Sequence, residues 1–305
     1  MQQPVEIGSK PITLQATVIQ YKLIKKVKAE KFDLEKLQQY TLLINSGVRD
    51  FQVSVIDNED NRVLFFEDYV LSESRDRAEH LQSIKNLFDS HELLQAGFWK
   101  QVIIGIKNFK FVQVPSTLFS ETSAVDYLKF NARIESDETV LHSTTAHSDA
   151  VTVFAIHTDL YQFLLGYYKN VPVKFIHQSH AMISGCLEYA KSDRPLYIYV
   201  DRFKLHILYL RGNKLAYYNQ FAIKQFADYI KYIMLVMKSM NMDQQNSQVV
   251  LWGYIGKNSP HYVEFTKYIQ NVTFGGRLAN LKFSYMFDEI QEHHFFDLFS
   301  LSLAR

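Results

Sequence analysis

The sequence has little of three things that would commit it to an obvious chemistry. Of its 305 residues only Cys186 is a cysteine, which excludes an internal disulfide and any zinc site built on cysteine pairs. It sits in the apolar run Met182-Ile-Ser-Gly-Cys-Leu187, where a thiol acts as a small buried hydrophobe rather than a nucleophile. Neither sign of charge is in excess: 33 Lys and Arg stand against 32 Asp and Glu, a net charge of +1. Nucleic-acid domains show a basic excess, so a nucleic-acid partner is not expected. The densest cationic cluster, Lys22-Leu-Ile-Lys-Lys26 with Lys28, is interrupted by Leu23 and Ile24, closed by Glu30 and reads as a solvated face. No window approaches the roughly 18 apolar residues a membrane span needs. Met1-Gln-Gln-Pro-Val-Glu6 lacks the charged start and apolar run of a signal peptide. A soluble cytoplasmic protein without a transmembrane segment is the expectation.

What is present is an apolar content of 47% beside 21% charged residues, the balance of a folded globular protein. Its length exceeds that at which one core keeps growing, so two domains are expected. Repetition inside the chain supports the same division. Arg62-Val-Leu-Phe-Phe-Glu-Asp-Tyr-Val-Leu71 aligns with Lys214-Leu-Ala-Tyr-Tyr-Asn-Gln-Phe-Ala-Ile223, basic, apolar and aromatic positions coinciding. Upstream, Phe51-Gln-Val-Ser-Val55 matches Leu205-His-Ile-Leu-Tyr209; downstream, Gln101-Val-Ile-Ile-Gly105 matches Gln248-Val-Val-Leu-Trp-Gly253. The repeated unit is a three-strand meander, a helix and a fourth strand.

Taken in order, Ile12 to Tyr21 alternates as a strand and Phe32 to Tyr40 suits a short helix with Asp33 near its start. The first unit has strands at Tyr40 to Asn45, Phe51 to Ile56 and Val63 to Leu71. Its hairpin turn, Asp57-Asn-Glu-Asp-Asn61, uses residues that tolerate left-handed geometry. A helix from about Ser74 to Leu94, capped by Ser72 or Ser74, leads to a central strand at Trp99 to Lys107. Between the units come a strand to Pro115, a helix over Ser116 to Phe130, paired strands near Val140 to Ser143 and Val151 to His157, then helix, strand and helix to Lys191. Ser192-Asp-Arg-Pro195 is the candidate interdomain boundary. The second unit runs from Leu196, turns at Arg211-Gly-Asn213, carries a helix over Ile223 to Met240, and continues through a strand Gln248 to Tyr254, a helix from Ser259 to Gln270 and a strand Leu281 to Phe287. An amphipathic helix, Asp288 to Leu303, is expected to return to the first domain.

Two such units joined by strand and helix resemble the actin and sugar-kinase superfamily, most clearly its divergent bacterial members, the actin-like proteins of type IV pilus and type II secretion assemblies. The chain is similar in particular to an uncharacterised bacterial family with an actin-like ATPase fold; Val173-Lys-Phe-Ile-His-Gln-Ser-His-Ala-Met182 resembles the segment closing the first domain in the assembly proteins. The resemblance covers about residues 40 to 303. It implies an α/β, ribonuclease H-like, duplicated fold with a mixed five-stranded sheet flanked by helices in each domain, domain I over residues 1–191 with helix 288–303 packed back on it, and domain II over 192–287.

Catalytic members of the superfamily carry Asp-x-Gly followed by Thr or Ser at each meander's first turn: the carboxylate orients magnesium or water, and glycine lets backbone N–H groups approach phosphate. Here the first turn reads Asn45-Ser46-Gly47-Val48-Arg49, with Asn45 in place of the carboxylate. The second reads Asp201-Arg202-Phe203-Lys204, with Phe203 in place of the glycine. The adenosine loop is met by a loose version, Gly253-Tyr-Ile-Gly256. Asn45, Ser46, Gly47, Asp201, Gly253 and Gly256 are thus the candidate nucleotide cleft, in degenerate form. The resulting expectation is a catalytically inactive binding or scaffold protein with a protein partner, no cofactor and no catalytic residue. The alternative is an ATPase or phosphotransferase in which Asp201 holds magnesium of Mg-ATP, Gly47 admits the phosphates and Gly253 to Gly256 border adenine.

Other constellations carry less. Eleven histidines include His142, His147 and His157 near one hairpin, His177 with His180, and His293-His294, without the His-Glu-x-x-His spacing of a metal helix; no metal site is expected. Ser143-Thr-Thr145, His147 and Asp149 hold triad residue types without a nucleophile elbow. The 19 Tyr and 23 Phe are many, and Tyr217-Tyr218, Tyr229 with Tyr232, and Phe295-Phe296 are read as aromatics available for a protein interface.

Overall fold

A computed structural model describes residues 20–144, 148–190 and 195–305. The expected strand at 12–21 and the boundary at 192–195 therefore fall largely outside the described residues, as do Thr145 and His147. The described residues open with β1 (Tyr21–Lys28), a 3-10 turn whose N-cap Asp33 accepts from the Glu35 N–H, then the meander β2 (Tyr40–Gly47), β3 (Asp50–Asp57) and β4 (Arg62–Leu71). Helices α1 (Arg77–Ser90) and α2 (Glu92–Gln95) follow, then β5 (Gln101–Lys107), β6 (Phe111–Pro115), α3 (Ala124–Lys129), β7 (Glu138–Thr144), β8 (Ala150–His157), α4 (Thr158–Tyr167), β9 (Val173–His177) and α5 (Gln178–Tyr189). The second meander is β10 (Leu196–Val200), β11 (Lys204–Arg211) and β12 (Lys214–Ala222), succeeded by α6 (Phe226–Ser239), β13 (Val249–Gly253), α7 (Pro260–Thr266), β14 (Val272–Phe274), β15 (Lys282–Phe283) and α8 (Phe296–Ser300).

The two meanders lie in two mixed sheets that follow the same path. The first runs β4-β3-β2-β5 and the second β12-β11-β10-β13, with antiparallel, antiparallel and parallel pairings in both. Both β-hairpins between the last two meander strands turn through a left-handed residue, Asn61 at φ 56° and Gly212 at φ 59°, the geometry that Asn and Gly adopt at little steric cost. In the first sheet the path is extended by β9 beyond β5 and by β1 and β15 on β4. The Lys22–Lys28 cluster lies in β1, an edge strand on which Lys22, Lys26 and Lys28 are exposed and Lys25 is half-buried beside Glu289.

Several elements depart from their expected form. The last strand of the second sheet is β14, and the segment expected as a strand over 281–287 is only the two-residue β15, which pairs parallel with β4 of the first sheet. Gly275 explains the shift: a Cβ there would meet the Trp252 ring at 2.0 Å, so the chain slides beneath that ring and crosses back early. The helix expected over 288–303 is broken into a 3-10 turn, the short α8 and a second 3-10 turn, with Phe295 in the left-handed region at φ 57° as the break. The long helix over 74–94 starts later, because Asp76 rather than Ser72 or Ser74 accepts from the Glu79 N–H, and it breaks at His91. Over 116–130 the serines favour 3-10 turns, leaving α3 as a six-residue helix.

Helix α5 is the hinge pin of the packing. Gln178 to Leu187 are buried without exception, so beyond its polar first turn of Gln178, Ser179 and His180 this helix presents apolar and small residues on every side, as a helix sealed inside a protein must. It lies against α8, β5 and β12, and the core of the first sheet continues through it to Tyr197, Tyr199, Leu208 and Trp252 of the second. The Trp252 indole stacks on Phe296 with centroids 4.2 Å apart. A separate core lies between the far face of the second sheet and α6 and α7, and a small third one beneath the three-stranded sheet β6-β8-β7. Of the aromatics expected at an interface, Phe295 and Phe296 are internal, 4% and 3% exposed, while Tyr218 is half-buried against the first core and Tyr217, Tyr229 and Tyr232 are half-buried against the second.

Candidate functional site

In open α/β sheets, ligand crevices form outside the carboxyl ends of the parallel strands. Here β2, β5, β10 and β13 end near one another, and polar residues at or beside those ends, Asn45, Lys107 and Asp201, meet in one buried cluster between the sheets. Lys107, at the end of β5, is 4% exposed and is its centre. Its Nζ forms an ion pair with Asp50 of β3, lies 3.1 Å from Asp201 beyond β10, and 3.9 Å from Asp297 on α8. Three carboxylates from three separate stretches of chain thus share one ammonium.

Side-chain amides complete the cluster. Gln178 Nε2, from the first turn of α5, donates to Asp201 Oδ2 at 3.0 Å and to Asp297 Oδ2 at 2.7 Å, while its Oε1 accepts from Lys204 Nζ at 2.8 Å. Asn45 Nδ2 donates to the same Asp297 oxygen at 2.8 Å, and the Tyr199 hydroxyl donates to the other at 2.5 Å. A second tier runs from Gln52 Nε2 to Asp68 Oδ1 at 3.2 Å and to the Tyr254 hydroxyl at 3.0 Å. Arg202 closes it with a forked pair to Asp68 and its guanidinium carbon 4.5 Å from the Tyr254 ring centre. Paired, bidentate and amide-bridged charges of this kind are the form in which burial of charge is tolerated.

Ionisation follows from the same contacts. Burial by itself would depress the Lys107 ammonium, but the fields of Asp201, Asp50 and Asp297 outweigh it and hold its pKa above the usual lysine range. Burial would raise Asp201; Lys107, the His206 imidazole and Lys204 reverse that and hold it well below the ordinary carboxylate range. Asp50 is raised, because for it burial exceeds the attraction of Lys107. Lys204 is brought down to about 8, burial prevailing over the carboxylate of Asp201. The Tyr199 hydroxyl is pushed up by burial and by the charges of Asp297 and Asp201, so it stays a donor.

The six residues singled out from sequence are distributed unevenly over this geometry. Asn45 and Asp201 are in the cluster, 1% and 2% exposed. Ser46 is buried with its Oγ unpaired and lines, with Gly47, His80 and Ile156, a neighbouring cavity of about 250 Å³. The carbonyl of Gly47 contacts His80 Nε2 at 3.1 Å, and a Cβ on Gly47 would strike the Asp50 carboxylate at 2.1 Å. Glycine at 47 therefore makes room for Asp50. Gly253 adopts φ +98°, and a Cβ there would lie 2.1 Å from the Val200 carbonyl oxygen; it ends β13 at close approach to β10. Gly256 stands apart in open space. Phe203 is 37% exposed at the rim, with the Arg49 guanidinium 4.6 Å from its ring centre.

Sequence reasoning missed Asp50, Lys107, Gln178, Lys204, Tyr254 and Asp297. One signal pointed to one of them: Lys107, like the already chosen Asp201, is a charged residue at the carboxyl end of an otherwise apolar strand, where a crevice is expected. Among the described residues no group of three His, Cys, Asp or Glu side chains is arranged to hold a metal ion, and no helix is long and apolar enough to cross a membrane.

This arrangement of sheets is that of the actin-like ATPase fold. The chain is similar to a Bacteroides thetaiotaomicron protein with actin-like ATPase fold and unknown function, at 22% identity and a TM-score of 0.74, over 90% of this chain and 99% of that one. It is similar also to a chain of the PilM-PilN type IV pilus biogenesis complex, at 11% identity and a TM-score of 0.64, over 87% of this chain and 98% of that one. At these identities the likeness is one of fold. No curated protein matches. Residues 29–272 match the model of the family described as Protein of unknown function (DUF3822), and the chain belongs to that family.

Proposed function

We propose that this chain is a catalytically silent actin-like binding protein, whose phosphate site is filled by its own side chains. The observation that carries the proposal is Lys107. A buried ammonium satisfied by Asp50, Asp201 and Asp297 provides internally the positive charge that Mg²⁺ provides at a nucleotide's phosphates. Asp201, the one carboxylate retained from the superfamily pattern, is committed to Lys107, Gln178 and the Arg202 N–H. Gly47, which would admit a phosphate, instead admits Asp50. Tyr254 of the Gly253–Gly256 loop turns inward to Gln52 rather than leaving space for adenine. We read the matching strand paths of the two sheets as an internal duplication, one that kept the frame and exchanged the site. The PilM-PilN complex offers the model for such a role, in which the fold serves a protein partner. Thermal unfolding with and without millimolar Mg-ATP and Mg-ADP tests the proposal. No shift is expected. A ligand at about 100 times its Kd would stabilise by roughly 2.7 kcal/mol, and a nucleotide-specific rise of several degrees would restore the ATPase reading.

A further inference from the structure

We infer that the free edges of β6 and β12 form a docking groove for an extended segment of a partner protein, which enters as an added strand. The inference rests on the partner-binding reading above and adds where the partner sits. The exposed strand edges of the molecule are not alike. β1 carries Lys22, Lys25, Lys26 and Lys28 in eight residues, the usual protection against edge pairing, and β14 has only three residues. β12 is nine residues long, with Lys214 at one end and no other charge in Leu-Ala-Tyr-Tyr-Asn-Gln-Phe-Ala.

Register fixes which main-chain groups face outward. The Ile223 N–H bonds the Phe203 carbonyl, so Tyr217, Asn219 and Phe221 point their backbone groups at β11 while Tyr218, Gln220 and Ala222 point theirs away. Asn219 Oδ1 takes the Gln220 N–H; the outward groups of Tyr218 have no backbone partner among the described residues. On β6, the bonds Ala155 N–H to Lys110 O and Ser116 N–H to Asp149 O assign Val112 and Val114 to β8, leaving Phe111, Gln113 and Pro115 facing out. Asn131 caps the Phe111 carbonyl at 2.8 Å, and the outward main-chain groups of Gln113 have no backbone partner among the described residues.

These two edges face one another across a groove of about 600 Å³ lined by Gln113, Pro115, Ala150, Leu215, Ala216 and Tyr218 among others. Tyr218 meets Phe111 edge-on at 5.7 Å at one end, and Lys214 pairs with Asp149 at 3.2 Å at the other. β6 and β12 therefore run in opposite directions, and an inserted strand would be antiparallel to one and parallel to the other. A second copy of this chain would bring a whole sheet behind its edge strand, and β6 blocks that approach; a single extended chain has no such bulk. Its central four or five residues, matched to the length of β6, should be uncharged, because the walls between the two ends are neutral. Main-chain bonds supply affinity in this mode and alternate side chains supply selectivity.

The test uses the full chain, immobilised and challenged with a displayed library of linear twelve-residue peptides; recovered peptides are then synthesised. They should bind wild type, lose at least tenfold in affinity for Ala216→Arg, which fills the groove from an exposed position, and lose at least tenfold when alternate peptide amides are N-methylated. Hydrogen exchange should slow at 112–114 and 215–221. If Ala216→Arg does not fold, Ala150→Arg replaces it, and the exchange experiment needs wild type alone. Recovery of no peptide, equal binding to the filled groove, indifference to N-methylation or protection on another face would each overturn the inference. The nucleotide experiment is independent: a shift with Mg-ATP would overturn catalytic silence and leave the groove standing.

Discussion

The two hairpin tips that meet at the site, residues 45–50 and 201–204, occupy corresponding places in the two sheets and solve the same problem differently. The second keeps its carboxylate at the strand end, as Asp201, and sends Lys204 inward from the next strand. The first has an amide there, Asn45, and returns a carboxylate from the far side of the turn, as Asp50, through the space that Gly47 leaves. Both carboxylates end on Lys107. A position in an alignment therefore does not fix a charge in space; a turn of three or four residues can deliver the same group from either of its arms.

The comparison can be broken most forcefully at Lys107. Lys107→Met removes the cation on which both tips converge and leaves Asp50, Asp201 and Asp297 buried together; a loss of about 3–5 kcal/mol is expected, read by denaturant unfolding, with part regained on adding Asp50→Asn. Next is the asymmetry contributed by Lys204. Its folded pKa of about 8 lies below the ordinary 10.5, so between those values the unfolded chain binds a proton that the folded chain does not. Stability should rise with pH across that window, by roughly 3 kcal/mol over its full width, and Lys204→Met should flatten that rise. A smaller effect is expected from making the first tip resemble the second. Asn45→Asp would set a carboxylate where Asn45 now donates to Asp297 at 2.8 Å, destabilising by about 2 kcal/mol at neutral pH and less in acid; a stabilised variant would show that the cluster has a cation to spare. Phe203→Gly, which gives the second tip a glycine as the first has Gly47, should cost less than about 1 kcal/mol, the worth of a rim contact with Arg49, and should not create nucleotide binding.

Much of the fold was legible because it rests on local rules. Strands β2, β3 and β4 announce themselves by apolar runs between Asn- and Gly-bearing turns, and the matching runs around 205–223 repeat them. Where the reading failed, a long-range contact had decided. The segment 281–287 has strand-like residues, yet its partner is β4 of the other sheet, chosen because the chain passes under Trp252 at Gly275. Phe295 and Phe296 look surplus in sequence and prove to be core, since they fill the space beside Trp252 and Phe66.

By itself the sequence determined the class of fold, the two meanders, the want of cysteine and charge-excess chemistry, and the residues at the two strand-end turns, Asn45 and Phe203 among them, all of them matters of residue type and short spacing. Tertiary structure alone decided what stands in the site. Asp50, Lys107, Gln178, Asp201 and Asp297 are separated by as much as 247 positions along the chain, yet the polar atoms of these side chains lie within a few ångströms of their neighbours in the cluster. No periodicity encodes such a meeting, because it depends on where four strand ends and two helices come to rest, and on the need of every buried charge for a partner once they do.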